Sequence, residues 1–151
     1  MKGAPIRNPG GLVARLELGR TDRLLVIDAP EALNGLLRAA RPDPLLTRES
    51  TGDAIRAIKE TFDAILVWRE DRAGSRAVFD GAVKRLEAEG IVWAVTAMRK
   101  VRGPTTPAVH RLELSDLVTG LGKAGLVHDR EVRVSAWHVA YRFRRTAGSR
   151  R

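Results

Sequence analysis

Four side chains stand where an open α/β sheet would do its chemistry: Asp28, Glu49, Trp68 and Arg69. Leu24-Leu25-Val26-Ile27 reads as a first strand, and Asp28-Ala29-Pro30-Glu31 as the turn into the next helix. Ligands of such sheets bind outside the carboxyl ends of the strands, where the strand order reverses. For a strand order 2-1-3-4-6-5 that crevice lies between strands one and three. Asp28, Trp68 and Arg69 flank it, and Glu49 follows strand two. Each also has a structural reading: Asp28 as a helix cap, Glu49 as a solvated loop charge and Trp68 as core packing. No glycine occurs between Gly19 and Gly35. The turn therefore lacks the residues that let a backbone approach a bound phosphate or carboxylate.

A second group of side chains is cationic. Arg99, Lys100, Arg102, His110 and Arg111 follow strand four on the same rim, where cations can meet phosphates or another polyanion such as nucleic acid. The alternative is a solvated loop in a chain with far more arginine than lysine. Aromatic interleaving of the kind that stacks single-stranded bases is missing. His110, His128 and His138 do not have metal-ligand spacing, so no metal site is expected. Ser50, Ser75, Ser115, Ser135 and Ser149 lack the Gly-x-Ser-x-Gly setting of a nucleophile elbow. The absence of cysteine excludes disulfides and thiolate chemistry and suits a reducing cytoplasm. No catalytic residue is evident.

The net charge of +9 is unevenly placed. Residues 23–96 and 114–141 are close to balanced, whereas the excess sits in 97–113, in the N-terminal 22 residues and in a C-terminal run that includes Arg142, Arg144 and Arg145. Such charge favours solubility and contact with polyanions without specifying a function. No stretch has the length or apolarity of a signal peptide or a spanning helix, so neither secretion nor a membrane is expected. At 151 residues, one domain with a real core is expected, since chains of this size bury about 68–70% of their unfolded surface.

These side chains need elements to hold them. The first helix of the sheet shows Pro30 in its first turn and Leu33, Leu36, Leu37 and Ala40 at helical spacing, ended by Pro42 and Pro44. Leu45-Leu46-Thr47 reads as a weak second strand and 53–61 as a modest helix. Ala64-Ile65-Leu66-Val67-Trp68 and Ile91-Val92-Trp93-Ala94-Val95 are continuous apolar runs, the mark of strands buried on both faces. Between them Phe79, Ala82, Val83 and Leu86 predict a helix of about fourteen residues that ends at Gly90, which makes the sheet parallel. Residues 97–113 form a long loop. Ser115 offers a cap for a helix with Leu117, Val118, Leu121 and Ala124 inward, stopped by Gly125. Val132 and Val134 are apolar on even positions, and Trp137, Val139, Tyr141 and Phe143 on odd ones. That change of parity predicts a hairpin corner at Ser135-Ala136-Trp137 between two antiparallel strands.

The succession Phe62 to Val67, Gly90 to Trp93, Ala124 to Val127 and a terminal hairpin resembles the second half of a class I methyltransferase. Spaced pieces resemble a bacterial family known only as a domain of unknown function: Leu16 to Gly19, Asp28 to Glu31, Gly90 to Trp93, Lys100, Gly125 to Val127, Val132, Trp137 and Arg144-Arg145. The likeness spans about 16–145. The chain departs from that family after Trp93, where Ala94-Val95 replaces an early Pro-Lys, and after Trp137, where His138-Val139 replaces Ser-Gly. The resemblance implies a three-layer Rossmann-like α/β domain, which the elements bound at 23–145. Residues 1–22 mix glycine and proline with a short apolar stretch from Leu12 to Leu18 and read as a mobile arm and a short lead-in element, and 146–151 reads as a disordered basic tail. The resemblance also implies where S-adenosylmethionine would sit: the first turn, with Glu49 on the ribose hydroxyls and Asp28 in the same crevice. Because the glycines are missing, the expectation is no cofactor and a non-catalytic module that holds an anionic partner at the strand-end rim. A diverged methyltransferase and a homodimer joined through the hairpin are the alternatives.

Overall fold

The computed structural model describes residues 5–19, 21, 23–41, 43–48 and 51–145. Six strands form one sheet in the order β2-β1-β3-β4-β6-β5. They are β1 Leu24–Ile27, β2 Leu45–Thr47, β3 Phe62–Trp68, β4 Leu86–Ala97, β5 Leu126–Arg133 and β6 His138–Arg145. The helices are α1 Pro9–Leu16, α2 Glu31–Ala40, α3 Gly52–Arg56, α4 Ser75–Lys84 and α5 Leu114–Gly122. β1, β2, β3 and β4 run parallel, whereas β6 is antiparallel to both β4 and β5.

The apolar runs explain the layers. Along β3 and β4 alternate side chains enter two separate cores, so both faces of the sheet are covered. One core gathers Ile65, Val67, Val92 and Ala94 with Phe79, Leu117 and Leu121 from α4 and α5. The other gathers Ala64, Leu66, Trp93 and Val95 with Leu12, Leu16, Leu33 and Leu37 from α1 and α2. Trp93 is fully buried, and its Nε1 donates to the Leu16 carbonyl at 2.9 Å, which ties α1 to the sheet centre. Of the stretch read as an N-terminal arm, the short apolar element is α1. Residues 1–4 and the tail 146–151 lie outside the described residues.

Three element boundaries differ from the sequence reading. The helix before strand four ends at Lys84, and Leu86 to Gly90 already belong to β4, because Leu86 is buried in the core and pairs with Phe62. Gly90 is not a helix cap: a Cβ there would collide with the Leu86 side chain. α3 stops at Arg56, after one turn and a half, with Thr51 as its cap. α5 is capped by Glu113, in a reciprocal capping box with Asp116, rather than by Ser115; Val118 faces outward, 47% exposed.

Candidate functional site

The strand order reverses between β1 and β3, and the turn after β1 has an unusual backbone. Asp28 has φ 58°, in the left-handed region that glycine occupies without cost. Its N–H donates to the Thr47 carbonyl at 2.7 Å, which fastens the end of β1 to the end of β2. The expected helix cap is therefore corrected. Pro30 is the N-cap residue of α2, and among the described residues no side chain caps that helix start. Asp28, released from capping, is exposed at the rim. Contact with the protein still desolvates its carboxyl and pushes its pKa above the ordinary aspartate range, opposed by the charges of Arg48 and Arg69.

The other crevice residues come from the end of β3. Trp68 is half-buried and packs against the α1/α2 core. Its ring lies 4.7 Å from that of His138. Arg69 turns back on its own loop: Nε donates to the Asp71 carbonyl at 3.1 Å and Nη2 to the Ala73 carbonyl. It is held in place, yet its charge still reaches Asp28. Asp28, Trp68 and Arg69 thus stand on the facing ends of β1 and β3, as the strand order predicts. Glu49 lies outside the described residues.

A buried polar network next to Trp68 escapes sequence reasoning. His138 Nε2 lies 2.6 Å from Glu70 Oε2, and His138 Nδ1 lies 3.1 Å from Ser135 Oγ. Ser135 Oγ already accepts from the N–H groups of Trp137 and His138, at 3.1 and 3.0 Å. An ionised carboxylate only accepts, so Glu70 takes the hydrogen bond that His138 Nε2 donates. Glu70 is held below the ordinary glutamate pKa, first by the His138 hydrogen bond, against the opposing effect of burial, and then by electrostatic attraction to His138 and by bonds from the side chain and backbone of Thr106. Serine, histidine and carboxylate occur together, but Ser135 is 1% exposed and fully bonded. It closes the hairpin corner and is no nucleophile. Nothing in the spacing of Glu70 and His138 announces the contact; only the β4–β6 register, which sets His138 beside Ala97, brings it about.

The loop after β4 corrects one expected anion-binding residue. Arg111 is 4% exposed, and its guanidinium donates to the carbonyls of Thr106, Met98 and Val101 at 2.7 to 2.8 Å, and to that of Arg99 at 3.2 Å. A guanidinium used in this way holds the loop from inside and has no face left for a ligand. His110 is exposed at the end of a single 3-10 turn, Ala108–His110. Arg99 is 70% exposed, with Glu113 at 3.6 Å, and Lys100 and Arg102 are exposed. Trp137, at the hairpin corner, lies on Gly103: a Cβ there would overlap the indole. Among the described residues no group of three or more histidine, cysteine, aspartate or glutamate side chains could hold a metal ion. No described helix is long and apolar enough to cross a membrane.

No family model matches the chain, and no curated protein matches it. Solved structures do. An O-methyltransferase family protein from Burkholderia thailandensis matches with a TM-score of 0.63 at 11% identity, over 91% of this chain and 55% of that one. The N-methyltransferase NodS from Bradyrhizobium japonicum WM9, in complex with S-adenosyl-L-homocysteine, matches at 0.58 and 19%, over 92% and 85%. Magnesium protoporphyrin IX methyltransferase from Synechocystis PCC 6803, with bound S-adenosylmethionine, matches at 0.57 and 10%, over 91% and 76%. The chain spans about half the length of the first of these. At such identities the likeness establishes the fold, a methyltransferase-like Rossmann sheet. It overturns two expectations. These neighbours are methyltransferases rather than non-catalytic binding modules, and two of them hold S-adenosylmethionine or its demethylated product, so the inference of no cofactor from the missing glycines does not stand.

Proposed function

We propose that this chain is a diverged S-adenosylmethionine-dependent methyltransferase whose cofactor site is the crevice between the carboxyl ends of β1 and β3. The observation that carries the reading is the left-handed turn at Asp28, at the point where a methyltransferase-like sheet reverses its strand order. The chain makes the sharp reversal there without glycine, since aspartate is among the residues that tolerate this region.

The groups at the crevice fit an amphoteric cofactor. The Asp28 carboxylate can accept from hydroxyl or ammonium groups, and its raised pKa marks a charge that gains from a cationic or hydrogen-bonding partner. The start of α2, which no side chain caps among the described residues, presents backbone N–H groups that suit a carboxylate. Trp68 offers an apolar wall whose position is fixed by His138 and, behind it, by Glu70 and Ser135. When bound, S-adenosylmethionine supplies an electrophilic methyl group on a sulfonium sulfur. The chain's own part is to orient that group, to exclude water with Trp68 and to leave the acceptor open to the rim. Membership of the bacterial family of unknown function, and a cytoplasmic setting suited to a cysteine-free chain, belong to the same proposal.

Calorimetric titration with S-adenosylhomocysteine tests it. Binding is expected, weakened about 10- to 100-fold by Asp28→Ala, the loss of a hydrogen bond to a charged group. Absence of heat and of thermal stabilisation at millimolar ligand would remove the reading.

A further inference from the structure

The arginines of the C-terminal hairpin and the cations of the loop after β4 have different fates in the fold. Arg142 bonds to Asp129 at 2.8 Å and to Glu17 at 2.6 Å, Arg144 bonds to Asp129 at 3.2 Å, and Arg145 donates to the carbonyls of Val83, Leu86 and Glu87. Those charges are neutralised or tied to backbone. Residues 98–111 are built the other way round. The buried Arg111 draws the carbonyls of Met98, Arg99, Val101 and Thr106 inward. Trp137 seats on Gly103 and its carbonyl accepts from the Met98 N–H at 2.8 Å, while Thr106 is bonded to Glu70. With its backbone anchored inside, the loop leaves Arg99, Lys100 and Arg102 outside, exposed and clustered within four residues. Among the described residues a single weak contact, Arg99 to Glu113 at 3.6 Å, offsets them.

A loop fixed at four places costs little further ordering when something binds, so its cations act as a preorganised surface. Exposed cations on the outside of a turn work by charge alone. That suits a row of repeated phosphates, whereas a single phosphate needs a closed cradle of donors. The loop leaves the carboxyl end of β4, on the rim that also holds the crevice. We propose that residues 98–111 form a docking platform for a nucleic-acid strand, which is the methyl acceptor. The acceptor role rests on the methyltransferase reading; the platform itself does not.

The test is fluorescence anisotropy of a labelled single-stranded oligonucleotide with the full chain between 50 and 200 mM salt. A parallel titration with S-adenosylhomocysteine separates the two readings. Three phosphate contacts at about −0.7 each predict a log–log slope near −2, an affinity loss of roughly 20-fold over this range. The double variant Lys100→Ala, Arg102→Ala, both exposed positions, should bring the slope to about −0.7. An unchanged slope in the double variant overturns the platform. So does equal competition by polyglutamate, which would make the partner an acidic protein, or by a mononucleotide. Failure of the strand to bind a chain that takes S-adenosylhomocysteine overturns the platform alone. Strand binding by a chain that takes none overturns the acceptor role.

Discussion

Replacing Arg111 with alanine is the most informative perturbation of this fold, because one buried guanidinium organises a loop that has almost no regular structure. It donates to four carbonyls, three of them at 2.7 to 2.8 Å. Hydrogen bonds from a charged donor contribute about 1.5–3 kcal/mol each. The four share one side chain and are not additive, and carbonyls of a surface loop recover water once the anchor is gone, so the expected loss is about 3 kcal/mol rather than the sum. For a chain of this size each kcal/mol lowers Tm by about 2–4 °C, which gives a fall of about 6–12 °C. Arg111→Lys should recover only part of it, since an ammonium has three donors and lacks the planar fork. Thermal unfolding gives the first number, and hydrogen exchange resolves its origin: amides of 98–106 should exchange faster in the variant while those of β3 keep their protection. A Tm within 2 °C of the parent, or unchanged exchange in 98–106, would refute the role assigned to this arginine.

Three other perturbations follow from the same contacts. Glu70 has a folded pKa below its unfolded one, so its stabilisation is present above the unfolded value and is lost as pH falls through the folded one; Glu70→Gln should cost about 1–3 kcal/mol at pH 7 and much less at pH 3 in urea unfolding. Asp28 has the opposite shift, so ionisation works against the fold as pH rises through its raised pKa. Asp28→Asn should therefore be more stable than the parent at pH 7, by less than about 1 kcal/mol because the group is exposed, with no difference at pH 3; a less stable variant at pH 7 contradicts this. Gly103 has φ 127° and carries Trp137 on its α-carbon. Gly103→Ala should cost about 1–3 kcal/mol and shift tryptophan emission to the red as the indole is displaced; an unchanged spectrum would mean that the ring is not seated there.

The layers were legible because burial on both faces leaves continuous apolar runs at 64–68 and 91–95, and because a strand that changes parity must turn, as 134–137 does. Helix ends were less legible. Gly90 looks like a stop signal, but it lies inside β4, where the Leu86 side chain of the same strand occupies the place a Cβ would take. Asp28 followed by Pro30 and Glu31 looks like a capping sequence, yet the backbone at Asp28 turns left-handed, Pro30 takes the N-cap position and the Asp28 carboxylate makes no cap bond. Of the site residues, the strand-end positions of Asp28, Trp68 and Arg69 follow from strand order alone. The burial of Arg111 and the Glu70–His138 contact depend on long-range packing, which no local spacing encodes. A basic residue in a glycine- and proline-rich loop reads as a surface charge, and here one of five is the loop's internal anchor.

Titration of the isotope-labelled chain with S-adenosylhomocysteine, followed by amide chemical shifts, tests the central claim most directly. Asp28, Ala29, Glu31, Trp68 and Arg69 should shift together with one saturable dependence on ligand. Shifts confined to the cavity of about 400 Å³ between α4 and α5, lined by Arg72, Phe79, Leu112 and Leu117, or no shifts at millimolar ligand, would contradict it.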